Sequence, residues 1–400
     1  MAEPTVVERY ITLGLDLGRH IDGMVDAYYG PPTLAERANG SSPKPPRQLA
    51  DDARRLLADL AAGADADQVD ATRRHWIAAQ VEGLHTTARR LAGEPIRFSD
   101  EVESCYGVRP ERVDEETFEA AHRRLDAVLP AAAGTTTLAE RYSAWREAQA
   151  VPVDQLEAAV NSLADDLRER TTKLFGFPEG DRIDFELVTN QPWSGFNYYL
   201  GGLRSRVAIN TDLPVLSPSL AHLVAHEAYP GHHTEHCHKE VGLVRRRHQD
   251  EETIFLVGTP QCLLAEGLAD LGLEVVMGQR PEPTVSEHLR PLGIPYDAEV
   301  VAEVAQAGES LNYVRQNAAL LLHEDGADVD DAVAYLQRWS LLSEQRAKKA
   351  IEFLTDPTWR AYMTCYIEGF PLCRTFVQED PARFKRLITE QLIPADLVGP

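Results

Sequence analysis

Two imidazoles that bracket a carboxylate stand near the centre of the sequence, in His226-Glu227-Ala228-Tyr229-Pro230-Gly231-His232-His233. In the spacing H-E-x-x-H, two histidines one helical turn apart bind a zinc ion from one helix face, and the Glu beside the first polarises the water on the metal. Here the fourth position after His226 is Pro230. On an unbroken helix His226 and His232 would point about 240° apart and lie about 9 Å apart along the axis, too far to share an ion. Pro230 lacks the N–H that would bond to the carbonyl of His226, and Gly231 tolerates backbone angles that other residues avoid. The pair is therefore expected to break the helix and swing His232 back toward His226.

Spacing alone offers rivals. His222 with His226, and His232 with His236, are each four apart and would meet a metal on a straight helix. Glu227 favours His226 with His232, because a carboxylate directly after the first ligand can face the metal-bound water without binding the ion itself. The bland alternative is that six histidines between 222 and 238 (222, 226, 232, 233, 236 and 238) form a polar helix surface or an adventitious metal trap.

A second segment adds carboxylates where few are expected. Gln261 to Leu273 is too apolar for a solvent-facing helix, yet Glu266 and Asp270 lie four apart on one of its faces. A buried carboxylate needs a charge or donor to compensate it. Glu266 is read as a third metal ligand, and Asp270 as an acceptor that orients a ligand histidine through its other ring nitrogen. The alternative is an ion pair with an arginine from another helix.

At these residues the chain resembles a family. H-E-x-x-P-G-H-H followed by an E-G-x-A helix is similar to the bacterial domain of unknown function 885 family, whose members resemble all-helical zinc metallopeptidases. Asp26-Ala27-Tyr28-Tyr29-Gly30-Pro31 resembles that family's N-terminal region, and Tyr366-Ile367-Glu368-Gly369 with Arg374 resembles its C-terminal element. The resemblance implies zinc held by His226, His232 and Glu266, with Glu227 as the base. Where many members have Gln, this chain has Glu235.

Composition narrows the partners. With 63 acidic and 40 basic residues the formal net charge is −23, which repels nucleic acid and anionic membrane surfaces, so neither is expected as a partner. The basic run Arg245-Arg246-Arg247-His248 reads as a solvated helix end, with neutralisation of an acidic substrate as the alternative. Five cysteines (105, 237, 262, 365 and 373), with no C-x-x-C spacing, argue against a disulfide framework or a structural zinc knot; Cys237 alone is near enough to the histidines to be a rival ligand. No stretch reaches the ~20 apolar residues of a membrane span, and Met1-Ala2-Glu3-Pro4 lacks the basic start and apolar run of a signal peptide. Cytoplasmic residence is the resulting expectation.

The elements that must position these residues are mostly helical. Apolar residues recur at helical spacing through Val6 to Met24, Leu49 to Leu60, Val69 to Leu91, Thr117 to Leu129, Leu138 to Ala148 and Leu156 to Leu174. Asp181 to Thr189 and Leu203 to Asn210 read as strands of a small sheet that precedes the histidine helix. Such a sheet can offer an edge to an extended peptide, or be an ordinary hairpin packed on helices. Helices resume from Ala298, and Tyr366 and Arg374 are expected on a helix interrupted by Gly369 and Pro371. The expected fold is mainly α: a large two-lobed helical body of the metallopeptidase kind with a small sheet beside a cleft. Residues 1–175 form the helical N-terminal lobe and 176–400 the metal-binding lobe, together one continuous unit.

The chemistry expected of this set is zinc-assisted hydrolysis of an amide in a short peptide. Glu227 takes the proton of the attacking water and returns one to the leaving amine. Tyr366 is the candidate donor to the developing oxyanion, and Arg374, Arg204 or Arg206 the candidate anchor for a substrate carboxylate. A non-peptide amide or ester substrate, or a metal-binding scaffold without chemistry, are the alternatives.

Overall fold

The computed structural model describes residues 3–131, 133–134, 137–191 and 193–398. Met1 and Ala2, which open the segment read for a leader, lie outside the described residues. The chain is mainly α-helical, with one two-stranded and one three-stranded sheet among the described residues. No described helix is long and apolar enough to cross a membrane.

The first helix, Val6–Leu17, starts at a capping box in which Thr5 Oγ1 accepts from the Glu8 amide and Glu8 accepts from the Thr5 amide. It stops well short of Met24. Residues Val25–Tyr28 instead form strand β1, which pairs antiparallel with a strand more than 220 residues later. A local periodicity could not register that partner. Four further strands follow: β2 (Arg182–Val188), β3 (Gly195–Tyr199), β4 (Arg204–Asn210) and β5 (Ile254–Leu256), the last being the partner of β1. Ala27 stands opposite Phe255 and Val25 opposite Leu256, with a register irregularity between Val25 and Ala27 that leaves Asp26 without a partner.

The three-stranded sheet has the order β2-β4-β3, with β2 parallel and β3 antiparallel to β4. It is not a simple hairpin: β3 occupies one edge, which places Gly195, Phe196 and Asn197 beside the histidines. The sequence reading places strands only at Asp181 to Thr189 and Leu203 to Asn210; Gly195–Tyr199 forms the third.

Around the sheet the helices bury one extended core, a smaller one, and a third small cluster of Leu125, Leu129, Val304, Ala307 and Leu341. The larger joins residues from both halves of the sequence, among them Phe98, Leu163, Val224, Leu268 and Leu387. The smaller gathers Tyr10, Leu49, Trp76 and Ile77 onto Ile254 and Leu256 of β5. At the centre runs the helix Pro260–Met277, nearly all of it buried, with Pro260 at a first-turn position where no amide bond is lost.

This central helix crosses the helix Met363–Val377 backbone to backbone. A Cβ on Gly267 would fall 2.3 Å from the carbonyl oxygen of Gly369, and one on Gly369 would fall 2.6 Å from that of Leu263. The helix at 363–377 runs on through Gly369 and Pro371 rather than breaking there. Gly369 serves close approach, not a kink, and the tight crossing holds the segment helical despite the missing amide of Pro371.

Candidate metal centre

The histidine helix, Ser217–Glu227, ends as the Pro-Gly pair demands. Ala228 leaves helical angles, the Gly231 amide bonds back to the Ala225 carbonyl at 2.9 Å, and a new helix begins at His232. Only glycine fits at 231, since a Cβ there would lie 1.9 Å from the carbonyl oxygen of His226. Pro230 rests on Gly272 of the central helix, and the Tyr229 hydroxyl donates to Asp181 at 2.8 Å. Asp181 is itself held by Arg168, so the turn is pinned on two sides.

The turn brings the two histidines face to face. His226 Nε2 and His232 Nε2 are 3.1 Å apart, Glu266 Oε2 is 3.3 Å from His226 Nε2, and Glu266 Oε1 is 3.2 Å from His232 Nε2. Donor atoms at about 2.0–2.2 Å from a tetrahedral ion lie about 3.3 Å from one another, so each of these separations suits two donors around a single zinc, with the Glu266 carboxylate turning one oxygen to each histidine. Glu266 Oε2 is buried with no hydrogen-bond partner, and two nitrogens with one carboxylate are a donor set zinc accepts. These residues fit the ion.

The surroundings fix these donors. Asp270 Oδ1 lies 2.8 Å from His226 Nδ1, which directs Nε2 toward Glu266. Tyr362, one turn before Tyr366, donates to Glu266 Oε1 at 2.6 Å. Burial pulls His226 and His232 toward their neutral forms, but Glu266, together with Asp270 at His226 and Glu227 at His232, holds both above the ordinary imidazole range. Burial works against Glu266 as a carboxylate, yet His232 and His226 keep it well below its usual range. A metal would displace the protons that now balance this charge.

Glu227 faces the same cavity. Burial raises its carboxyl, with His226 and His232 partly offsetting the effect, which moves it toward the range useful to a base near neutral pH. Gly195 of β3 lets the strand pass within contact of it: a Cβ there would lie 3.0 Å from Glu227 Oε1. Asn197 Nδ2 donates to the Glu227 carbonyl at 2.6 Å, fastening β3 to the end of the histidine helix.

Tyr366 lines the cavity with its ring centroid 6.3 Å from that of His226. Burial, then Glu266 and Glu227, raise its hydroxyl far above the ordinary value, so it keeps its proton to donate. Arg374 is not brought to the cluster. It lies on an outer face, 3.5 Å from Glu274 and 3.7 Å from Glu309. Arg374 lies eight residues beyond Tyr366 on the same helix, about 12 Å further along its axis. Arg206 sits over the Tyr198 ring and 3.3 Å from Glu186, and neither it nor Arg204 lines the cavity.

The other histidines separate clearly. His222, half-exposed, shares Asp270 with His226 at 3.3 Å, so His222, His226 and Asp270 form a second group with ligand-like spacing. His233 is buried against Phe177 and hydrogen-bonds Ser205 at 2.7 Å, with Cys237 beside it and not among the donors. His236 stacks on Tyr199 and reaches the cavity wall, while Glu235 pairs with Lys239 at 2.8 Å. The residue that spacing arguments missed is Asp26, which lines the cavity from β1. Its only sequence signal is its place in the Asp26-Ala27-Tyr28-Tyr29-Gly30-Pro31 segment.

A larger cavity of about 490 Å³ lies elsewhere, lined by Phe175, Phe177, Leu243, Arg246, Arg247 and Lys385, and shares no lining residue with the metal cluster. Chemistry rather than volume marks the candidate site.

No family model and no curated protein matches the chain. Among solved structures it is similar to "the putative lipoprotein from Colwellia psychrerythraea", with a TM-score of 0.50 and 13% identity over 91% of this chain and 68% of that one. It is also similar to "a putative lipoprotein of unknown function from Shewanella oneidensis", with a TM-score of 0.45 and 14% identity over 91% of this chain and 74% of that one. At these identities the first likeness bears on the fold alone.

Proposed function

We propose that the chain is a zinc-dependent hydrolase of amide bonds in short peptides, a reading consistent with its resemblance to the domain of unknown function 885 family. The observation that carries it is the convergence of His226, His232 and Glu266, with the two Nε2 atoms 3.1 Å apart and a Glu266 oxygen 3.2 to 3.3 Å from each, and with Glu227 on the wall of the same cavity. Zinc bound there supplies a Lewis acid and a lowered pKa for water.

The chain's own residues do the rest. Glu227 accepts the proton of the attacking water and delivers it to the leaving nitrogen, which its raised carboxyl suits. Tyr366 donates its hydroxyl hydrogen to the carbonyl oxygen as that atom gains charge. Asp270 keeps His226 in one tautomer and one orientation. The edge strand β3 runs along the cavity, where a substrate backbone in extended form can pair with it, which favours a peptide over a compact amide. Cytoplasmic residence belongs to the same proposal; all five cysteines are buried free thiols, as suits a reducing compartment.

The test separates base from ligand. Glu227→Gln is expected to bind zinc as the parent does while turnover of a short-peptide mixture, followed by mass spectrometry, falls about 10²–10⁴-fold. Undiminished turnover would overturn the mechanism. Zinc-loaded parent protein that cleaves no peptide would shift the substrate to a non-peptide amide or ester.

A further inference from the structure

We propose that the cavity beside the metal cluster is an ammonium-binding box, with Asp26 as its anionic floor, that selects substrates carrying a free amino terminus. The identification of that ammonium as a substrate's α-amino group rests on the hydrolase reading; the box itself does not.

Three observations on different elements converge. The first is position. Asp26 falls at the irregularity in the β1–β5 pairing, where the ladder leaves it unmatched. A bulge of this kind re-aims one side chain out of the alternation of its strand, and it recurs next to active sites. Here the re-aimed side chain lines the metal cavity.

The second is an unmet bond. Asp26 Oδ1 is buried and has no hydrogen-bond partner, and no Lys or Arg appears in the cavity's described lining. A buried carboxylate oxygen left unpaired is costly, so a donor from outside the chain is the partner that it lacks.

The third is the nature of the walls. Trp193, Phe196, Phe353, Trp359, Tyr362 and Tyr366 line the cavity. They form two groups of rings in contact, Trp193 with Phe196 at 5.4 Å between centroids, and Phe353, Trp359, Tyr362 and Tyr366 in series at 5.9, 5.2 and 5.4 Å. Aromatic faces attract an ammonium and repel a carboxylate, and the attraction grows when the ion is desolvated. Aromatic walls, one unpaired carboxylate and no basic side chain fit a monocation. With the metal alongside, the bond that such a substrate presents for cleavage is near its amino end.

The experiment uses the zinc-loaded full chain and two probes that no hydrolase can cleave, 2-phenylethylamine and its neutral counterpart 2-phenylethanol. Calorimetry is expected to show the ammonium binding at least tenfold more tightly than the alcohol. Asp26→Asn is expected to erase that preference, and Asp26→Glu to retain part of it, with melting followed to show that each variant folds. Equal affinity for the two probes overturns the proposal without recourse to any variant. So does an undiminished preference in folded Asp26→Asn. A second arm compares cleavage of free and N-acetylated short peptides, for which the free form is expected to be preferred at least tenfold. Ammonium selectivity in binding with no cleavage of either peptide would retain the box and reject the hydrolase reading, while cleavage of both peptides at equal rates would reject the box as a substrate selector.

Discussion

At the scale of single residues, the site depends on which atom of each imidazole faces inward. His226 has one nitrogen 2.8 Å from Asp270 and the other 3.1 Å from His232 Nε2, so the Asp270 contact decides the direction of the donor. Asp270→Asn keeps the shape but removes the charge and can flip the amide to present a donor. It is expected to weaken zinc affinity about 10–100-fold while leaving the fold in place, as read by competition with a zinc chelator. His222 shares the same carboxylate from a half-exposed position, which makes it a spectator under this account. The residue types that converge were legible in the sequence, since a carboxylate set as deep in an apolar segment as Glu266 demands donors or positive charge, and a nearby histidine cluster can supply them. What spacing could not supply was direction: His233 and His232 are adjacent, yet one faces Glu266 and the other faces Ser205 and Phe177. Arg374 fails because it lies eight residues beyond Tyr366, about 12 Å further along the helix, where it pairs with Glu274 and Glu309.

Elements are positioned by a few small residues placed where backbones meet. Gly231 lets the chain fold back on the last turn of the histidine helix, and the Gly267 and Gly369 crossing sets how deeply Glu266 and Tyr366 enter the same cavity. Gly231→Ala would put a methyl 1.9 Å from the His226 carbonyl, which no rotamer change relieves. It is expected to destabilise the protein by at least about 3 kcal/mol and to abolish zinc binding, measured by denaturant melts with metal analysis of the folded fraction. Retained zinc at one equivalent would show that the turn does not set the site. The break itself was legible because Pro230 and Gly231 act locally. Strand β1 was not, because its partner β5 is more than 220 residues away and its four residues carry no periodicity of their own; Asp26 was hidden with it.

For the whole molecule, the N-terminal segment and the C-terminal helix both reach the centre of the fold to complete one cavity: Asp26 from β1, Glu227 from the histidine helix, Glu266 from the central helix and Tyr366 from the helix near the C-terminus. Helical character and the presence of a small sheet followed from periodicity, whereas this convergence is a product of long-range packing that periodicity does not encode. Four carboxylates are gathered in and around one cavity of a chain with net charge −23, so under the proposed function zinc is expected to stabilise the fold. Free zinc at 1,000 times its dissociation constant would add about 4 kcal/mol, so chelation is expected to lower the melting temperature and zinc to restore it, by calorimetry. The most direct test of the central claim is metal content after purification and dialysis, measured for the parent and for His226→Ala, His232→Ala, Glu266→Gln and His222→Ala. The account predicts about one zinc per chain in the parent and in His222→Ala, and loss of it in the other three; zinc retained without His232, or lost without His222, would contradict it.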